Sequence, residues 1–163
     1  MKTKIAVAVA TWLVLLATAL VVHAAPPSDA CSLLTSAQVS AVLGVSVGGG
    51  EKIAPSSTSV CGWEVPGEKK MDRKRVVLSI YTQMGSRTPL QRFNAAKTPV
   101  QGITKESVSG VGDEAIFATT PGLGTGLIFR KGDAAFDLRV YGFAIDQLKA
   151  KEKTLAQDVL ARL

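Results

Sequence analysis

The chain reads as an α+β protein, with an antiparallel β-sheet of about five strands and three helices (N-terminal, middle and C-terminal) packed mainly on one face. Three observations predict this. Helix-start chemistry occurs at three widely separated places: Thr35 to Gln38, Thr88-Pro89 and Asp146. Between them lie segments of two-residue alternation, the period of a strand. The later segments are joined by tight turns, which antiparallel neighbours allow and parallel ones do not.

The elements follow in order. Thr35 and Gln38 form a capping box, in which the hydroxyl takes an orphan amide and the glutamine returns the bond. Val39, Val42 and Leu43 share one face of the helix so begun, and Gly44 ends it in a left-handed cap. A turn at Gly48-Gly49-Gly50 and a Ser-rich loop around Ser56 and Ser57 come next. Cys61, Trp63 and Val65 alternate on one face of a strand that Pro66-Gly67 terminates. From Arg75 to Gln83 a second strand places Val76, Leu78 and Ile80 on one side, and Val77, Ser79 and Tyr81 on the other. Thr88 caps a short helix with Pro89 in its first turn, Leu90 and Phe93 pointing inward, and Thr98-Pro99 at its end. Three further strands span Ala115 to Thr119, Leu127 to Arg130 and Ala134 to Tyr141, the last two joined by Lys131-Gly132-Asp133. The closing helix runs from about Asp146, as its cap, to Leu163, with Leu148, Leu155, Ala156, Val159 and Leu163 as its apolar stripe. Glu152 falls within that stripe, where an exposed first turn or a nearby basic partner would accommodate it.

The N-terminus has the form of an export signal. Lys2 and Lys4 precede an apolar run from Ile5 to Val22, and Val22-His23-Ala24 places small residues where a signal peptidase reads. Residues 1–24 are thus expected to be a signal peptide and residues 25–163 a single exported domain. The run has 18 residues, so it is also long enough to remain as an uncleaved anchor. Both outcomes put the domain outside the cytoplasm, periplasmic or secreted. Cys31 lacks the leucine three places upstream that lipid attachment uses. In an oxidising compartment Cys31 and Cys61 read as one disulfide, the alternative being two separate buried thiols.

Composition excludes several kinds of chemistry. The single histidine is His23, inside the signal, so a cleaved chain has no Ser-His-Asp or Cys-His hydrolysis and no histidine metal ligation. No metal or cofactor is expected, and no catalytic residue is assigned. Gly44-Val45-Ser46-Val47-Gly48 matches the nucleophile-elbow pattern, but a helix precedes it and the histidine is missing. Gly110-Val111-Gly112-Asp113-Glu114-Ala115 imitates a dinucleotide fingerprint, yet it leads into a strand and reads as a turn. Carboxylates remain: Asp113 and Glu114 point apart on a strand, and Asp137 lies two places from Arg139 on one face, as an ion pair would.

Removing Lys2 and Lys4 leaves 17 basic against 13 acidic side chains, a mild excess that does not select nucleic acid as a partner. Lys69, Lys70, Arg73, Lys74 and Arg75 form the densest charge cluster. It suits a solvated strand edge or weak contact with an anionic surface. Lys149, Lys151 and Lys153 flank the last helix, whose stripe is expected to dock on the sheet.

Cys31-Ser32-Leu33-Leu34-Thr35, Val39, Leu43-Gly44, Cys61-Gly62-Trp63 and Gly110 to Ala115 together resemble a group of bacterial secreted domains and lipoproteins of unknown function. That group is similar in layout to the PsbP-like α/β/α sandwich. The resemblance implies a noncatalytic role and carries over no catalytic residue, and the chain departs from the group in lacking the lipid-attachment cysteine. The expected function is therefore an exported binding or accessory domain for a small ligand or an envelope protein. The alternative is a carboxylate-dependent hydrolase of envelope glycan or ester. Alternation puts Tyr81, Arg130, Arg139 and Tyr141 on the sheet face turned away from Phe136, Leu138 and Val140, so these four are the candidate binding residues. Arginine pairs with carboxylate or phosphate and tyrosine stacks on rings.

Overall fold

The computed structural model describes residues 27–53, 59–67 and 73–163. The expected signal segment, the loop at Ser56 and Ser57, and Lys69 and Lys70 lie outside the described residues. The described chain is α+β, with three helices and one antiparallel sheet of seven strands.

The strands are β1 (Glu51–Lys52), β2 (Val60–Glu64), β3 (Arg75–Ile80), β4 (Thr104–Val108), β5 (Glu114–Thr120), β6 (Gly124–Lys131) and β7 (Ala134–Tyr141). The helices are α1 (Ser36–Leu43), α2 (Pro89–Lys97) and α3 (Ile145–Leu160). The sheet order is β1-β2-β3-β7-β6-β5-β4. After β3 the chain crosses through α2 to the far edge and returns by successive hairpins. The last strand thereby closes against β3 at the centre, pairing Val76 with Val140 and Leu78 with Leu138.

The expectation of about five strands is corrected to seven. β1 has only two residues, both exposed. β4 is an edge strand of Thr-Lys-Glu-Ser-Val with no buried position. Strands that bury no face carry no hydrophobic alternation, so neither announces itself in the sequence. The strand expected to reach Gln83 stops at Ile80.

The expected capping box at Thr35 forms, and Thr88 proves to be part of a second. The Gln38 amide donates to Thr35 Oγ1 at 3.2 Å, and the Thr35 amide donates to Gln38 Oε1 at 3.0 Å. Thr88 and Gln91 repeat the exchange at 3.2 and 2.9 Å. Replacing Thr35 by alanine should cost about 1 kcal/mol, checked by urea denaturation, with the fold otherwise unchanged. At α3 the expected cap is corrected. Ala144 occupies the cap position without a side-chain bond, and Asp146 lies one residue inside the helix, in its first turn.

α1 and α3 cover one face of the sheet. Their main core joins Val39, Leu43, Trp63, Val76, Leu78, Leu127, Phe129, Phe136, Leu138, Leu155 and Val159, all buried. Lys151 Nζ of α3 donates to the Val42 carbonyl of α1 at 2.6 Å, and Arg162 reaches the Ser32 carbonyl at 3.1 Å. α2 lies on the opposite face, which narrows the expectation that the helices share one. Its Phe93 is fully buried against Ile116, Ile128 and Ala135. Those residues sit in Ala-Ile-Phe, Leu-Ile-Phe and Ala-Ala-Phe runs that are apolar without interruption, the pattern of a strand buried on both sides.

The disulfide joins Cys31, in a single 3-10 turn at Ala30–Ser32, to Cys61 on β2, with Cα atoms 5.1 Å apart. It ties the entry to α1 onto the sheet. The Gly110-Val111-Gly112 segment is structural. Gly112 has φ +57, and a Cβ there would run into the Arg130 carbonyl oxygen. Asp113, next in line, accepts the Gly132 amide at 2.7 Å and Lys131 Nζ at 3.0 Å. It holds the β6–β7 turn, and those two bonds keep its carboxyl below the usual range. Ser46 of the nucleophile-like pattern is exposed, in a loop that follows α1.

Candidate functional site

The second sheet face is divided by α2. At one end Tyr81 is partly buried beside the helix, with the Arg92 guanidinium 4.5 Å above its ring. Burial, and next the Asp137 charge, push the Tyr81 hydroxyl up to about 12. Arg130 is on the far side of α2. It is engaged by Glu114 at 3.4 Å and Asp113 at 3.6 Å, while Glu114 also binds Lys97 at 2.7 Å. Lys97, foremost, holds the Glu114 carboxyl below its usual range.

At the other end no helix among the described residues covers the face. Here Arg75, Val77 and Ser79 of β3 stand in register with Tyr141, Arg139 and Asp137 of β7. The Arg75 guanidinium lies 4.4 Å from the Tyr141 ring centre. Arg139 grips Asp137 through two bonds, Nε to Oδ1 at 3.0 Å and Nη2 to Oδ2 at 3.2 Å. This is the ion pair expected from their spacing, and it is the main reason that the Arg139 guanidinium holds its proton more tightly than usual. The Arg139 stem lies across Gly126, where any Cβ would crowd its Cγ and Nε.

The four residues proposed from alternation therefore occupy one face but two places. Arg139 and Tyr141 adjoin each other. Arg130 pairs with Ala135, six residues along the strand from Tyr141, or about 20 Å away at strand rise. Arg130 lies beyond α2, whereas Tyr81 sits beside the helix within reach of the Asp137 and Arg139 charges. Alternation alone omits Arg75, which heads β3 and meets Tyr141 only through the β3–β7 register.

Beside Tyr141 the sheet comes apart. β6 begins at Gly124 and β7 ends at Tyr141, but their pairing stops at Leu127 and Leu138. The parting strands leave a cleft of about 280 Å³ whose walls include Leu123, Val140, Phe143, Ile145 and Leu148. Leu123 is 79% exposed at its lip.

Glu152 lies one helical turn beyond Leu148 of the cleft wall and bonds the backbone of Val140, another wall residue. It is fully buried, which corrects the expectation of an exposed first turn or a basic partner. The Val140 amide donates to its Oε1 at 3.1 Å. Val140 lies two residues beyond Leu138, so its N–H points toward β6, and the strand position facing it is Thr125. With the ladder ended, the Glu152 carboxyl supplies the acceptor that β6 no longer provides. Among the described residues its Oε2 has no hydrogen-bond partner. Burial is the chief cause that pushes this carboxyl up to about 8, against the Val140 bond.

A second hollow, about 470 Å³, opens near the Gly48 loop, with Glu51, Lys52, Glu64 and Arg73 in its wall. Glu64 is bound by Arg73, and Arg75 stands 3.8 Å from it. Of the basic cluster, Arg73, Lys74 and Arg75 are described, and two of the three turn toward Glu64. On α3, Lys149 pairs with Glu106 of β4 at 2.5 Å. The stripe beside these lysines packs on β6 and β7.

Among the described residues no group of three His, Cys, Asp or Glu side chains comes together, and no helix is long and apolar enough to cross a membrane. Fold and site define a disulfide-bonded α+β domain with one sheet face that the described helices cover only in part. The chain matches no protein-family model, no curated protein and no solved structure.

Proposed function

We propose that this protein is a noncatalytic binding or accessory domain that works outside the cytoplasm, taking an anionic or ring-bearing ligand, or an envelope protein, on the open end of its second sheet face. The observation that carries the reading is the set Arg75, Tyr141 and Arg139. An aromatic ring and two guanidinium groups stand side by side on rigid strands, next to an apolar cleft. Strand-borne side chains lose little freedom on binding, which favours capture. The Cys31–Cys61 disulfide supports an oxidising location.

Native mass spectrometry of the protein purified from its own envelope fraction tests this, by revealing a retained ligand or partner. Tyr141→Ala and Arg75→Ala should each weaken capture about tenfold or more, as loss of a charge-assisted or stacking contact does. Both side chains are partly buried but neither belongs to the apolar core, so the melting temperature should stay within a few degrees of the parent. Parent-like capture by both variants would rule out this face.

One observation favours a second reading, hydrolysis by carboxylates. Glu51 pairs in register with Gly62, two residues from Glu64, and both glutamates line the larger hollow. Such diagonal neighbours lie about 7–8 Å apart, within the separation of an inverting carboxylate pair. Glu64 is already engaged by Arg73, which counts against the reading. Activity on envelope glycan that disappears in Glu51→Gln would establish it.

A further inference from the structure

We propose that Glu152 is a proton-operated latch: with its proton it seats α3 over the gap between β6 and β7, and on losing it the carboxylate leaves that seat and opens the cleft beside Tyr141 toward the interior.

The argument begins with the ladder. A backbone N–H left buried and unpaired at Val140 would cost about as much as a lost hydrogen bond. Glu152 removes that cost by reaching from α3 into the parting strands. The same contact makes Val140 common to two structures, because Val140 also forms a wall of the cleft. Leu148, one helical turn before Glu152, forms another. Residues four apart lie on one helix face, so whatever unseats Glu152 displaces Leu148 as well.

The charges around the carboxyl give the latch its direction. From β7, Asp137 repels a negative Glu152, and Arg139 attracts it but is held in the Asp137 pair. From α3 itself comes Lys149, engaged by Glu106 of β4. α1, packed against α3, contains no charged residue, and neither do Gly124 to Gly126 of β6. Oε2 faces no hydrogen-bond donor among the described residues. A neutral carboxyl leaves one buried hydroxyl unpaired there, a smaller cost than that of a carboxylate, which loses its hydration without compensation. The buried position therefore favours the protonated state, and the burial-driven upward shift of the group agrees. Water entry along the cleft is the route by which an ionised Glu152 regains hydration.

Amide hydrogen exchange on the full exported protein, followed residue by residue by NMR across pH 5 to 9, tests this. Protection is corrected for the intrinsic pH dependence of exchange. If an unseated Glu152 titrates like an ordinary carboxyl, protection of the Val140 and Leu148 amides should fall about tenfold per pH unit up to the native midpoint and then level off. Amides of the β4–β5 pairing, such as Phe117, should fall much less. In Glu152→Gln the dependence at Val140 should vanish. Equal losses at Val140 and Phe117 would mean global unfolding and overturn the latch. So would pH-independent protection in the parent. Should Glu152→Gln fail to fold, the carboxyl carbon-13 titration of Glu152 in the parent decides: a midpoint in the ordinary glutamate range overturns the proposal.

Discussion

Raising the pH from about 5 to 8 is expected to remove several kcal/mol of folding stability through Glu152. Its carboxyl is pushed up to about 8 in the folded protein, mainly by burial, from an ordinary value of 4.5. Between those values the folded chain keeps a proton that the unfolded chain releases. Stability then falls as pH rises, by about 1.4 kcal/mol per unit while that difference persists. The contribution is complete below about 4.5 and gone above about 8. The other shifted groups act outside this window. Asp113 and Glu114 are lowered, so their contribution is present above the unfolded values and lost in acid. The raised Tyr81 hydroxyl affects only strongly alkaline solutions. Urea denaturation at several pH values checks the slope. Glu152→Gln keeps an acceptor for the Val140 amide and cannot ionise, so its stability should be nearly flat over the same range. At about pH 8 it should equal or exceed the parent. A variant as steep as the parent would show that the slope comes from elsewhere.

Replacing both Cys31 and Cys61 by serine should lower stability by about 2–5 kcal/mol. The bridge closes a loop between residues 30 positions apart, for which the chain-entropy account gives about 3.5–4 kcal/mol. Packing adds to this. Cys61 is fully buried between Trp63 and the core, and Gly50 lies so close that a Cβ would touch both the Trp63 ring and the Cys61 sulfur. A serine hydroxyl at position 61 would need a partner in that apolar layer. Chemical denaturation of the double variant measures the loss, and the parent under strong reductant should approach it. A loss below about 1 kcal/mol would mean that the core alone holds the entry to α1. Thiol labelling of the denatured, unreduced protein should find neither cysteine free.

What the sequence determined by itself is local chemistry. The Thr35–Gln38 capping box, the Thr88 cap, the Gly44 cap, the turn at Gly132 and the buried sides of β3 and β7 follow from side-chain reach and strand period, which depend on neighbours a few residues away. The Cys31–Cys61 pairing and the Asp137–Arg139 ion pair were legible for the same kind of reason: only two cysteines were available, and two residues on a strand return to one face. Tertiary structure decided what depends on register and approach. β1 and β4 exist because neighbouring strands offer them a ladder, not because their own residues bury a face. α2 crossed to the second face because Ile116, Ile128 and Ala135 leave an apolar seat there for Phe93. That seat separates Arg130 from Arg139 and Tyr141, although alternation places them on one face, while Tyr81 stays close enough to Asp137 and Arg139 to feel their charges. Arg75 joined the site through pairing with β7, across a separation of 66 residues that no local pattern spans. Glu152 stood out in the sequence as a charge on an apolar stripe. Its partner is a backbone amide freed where β6 and β7 part, and such a vacancy exists only once the sheet has been assembled.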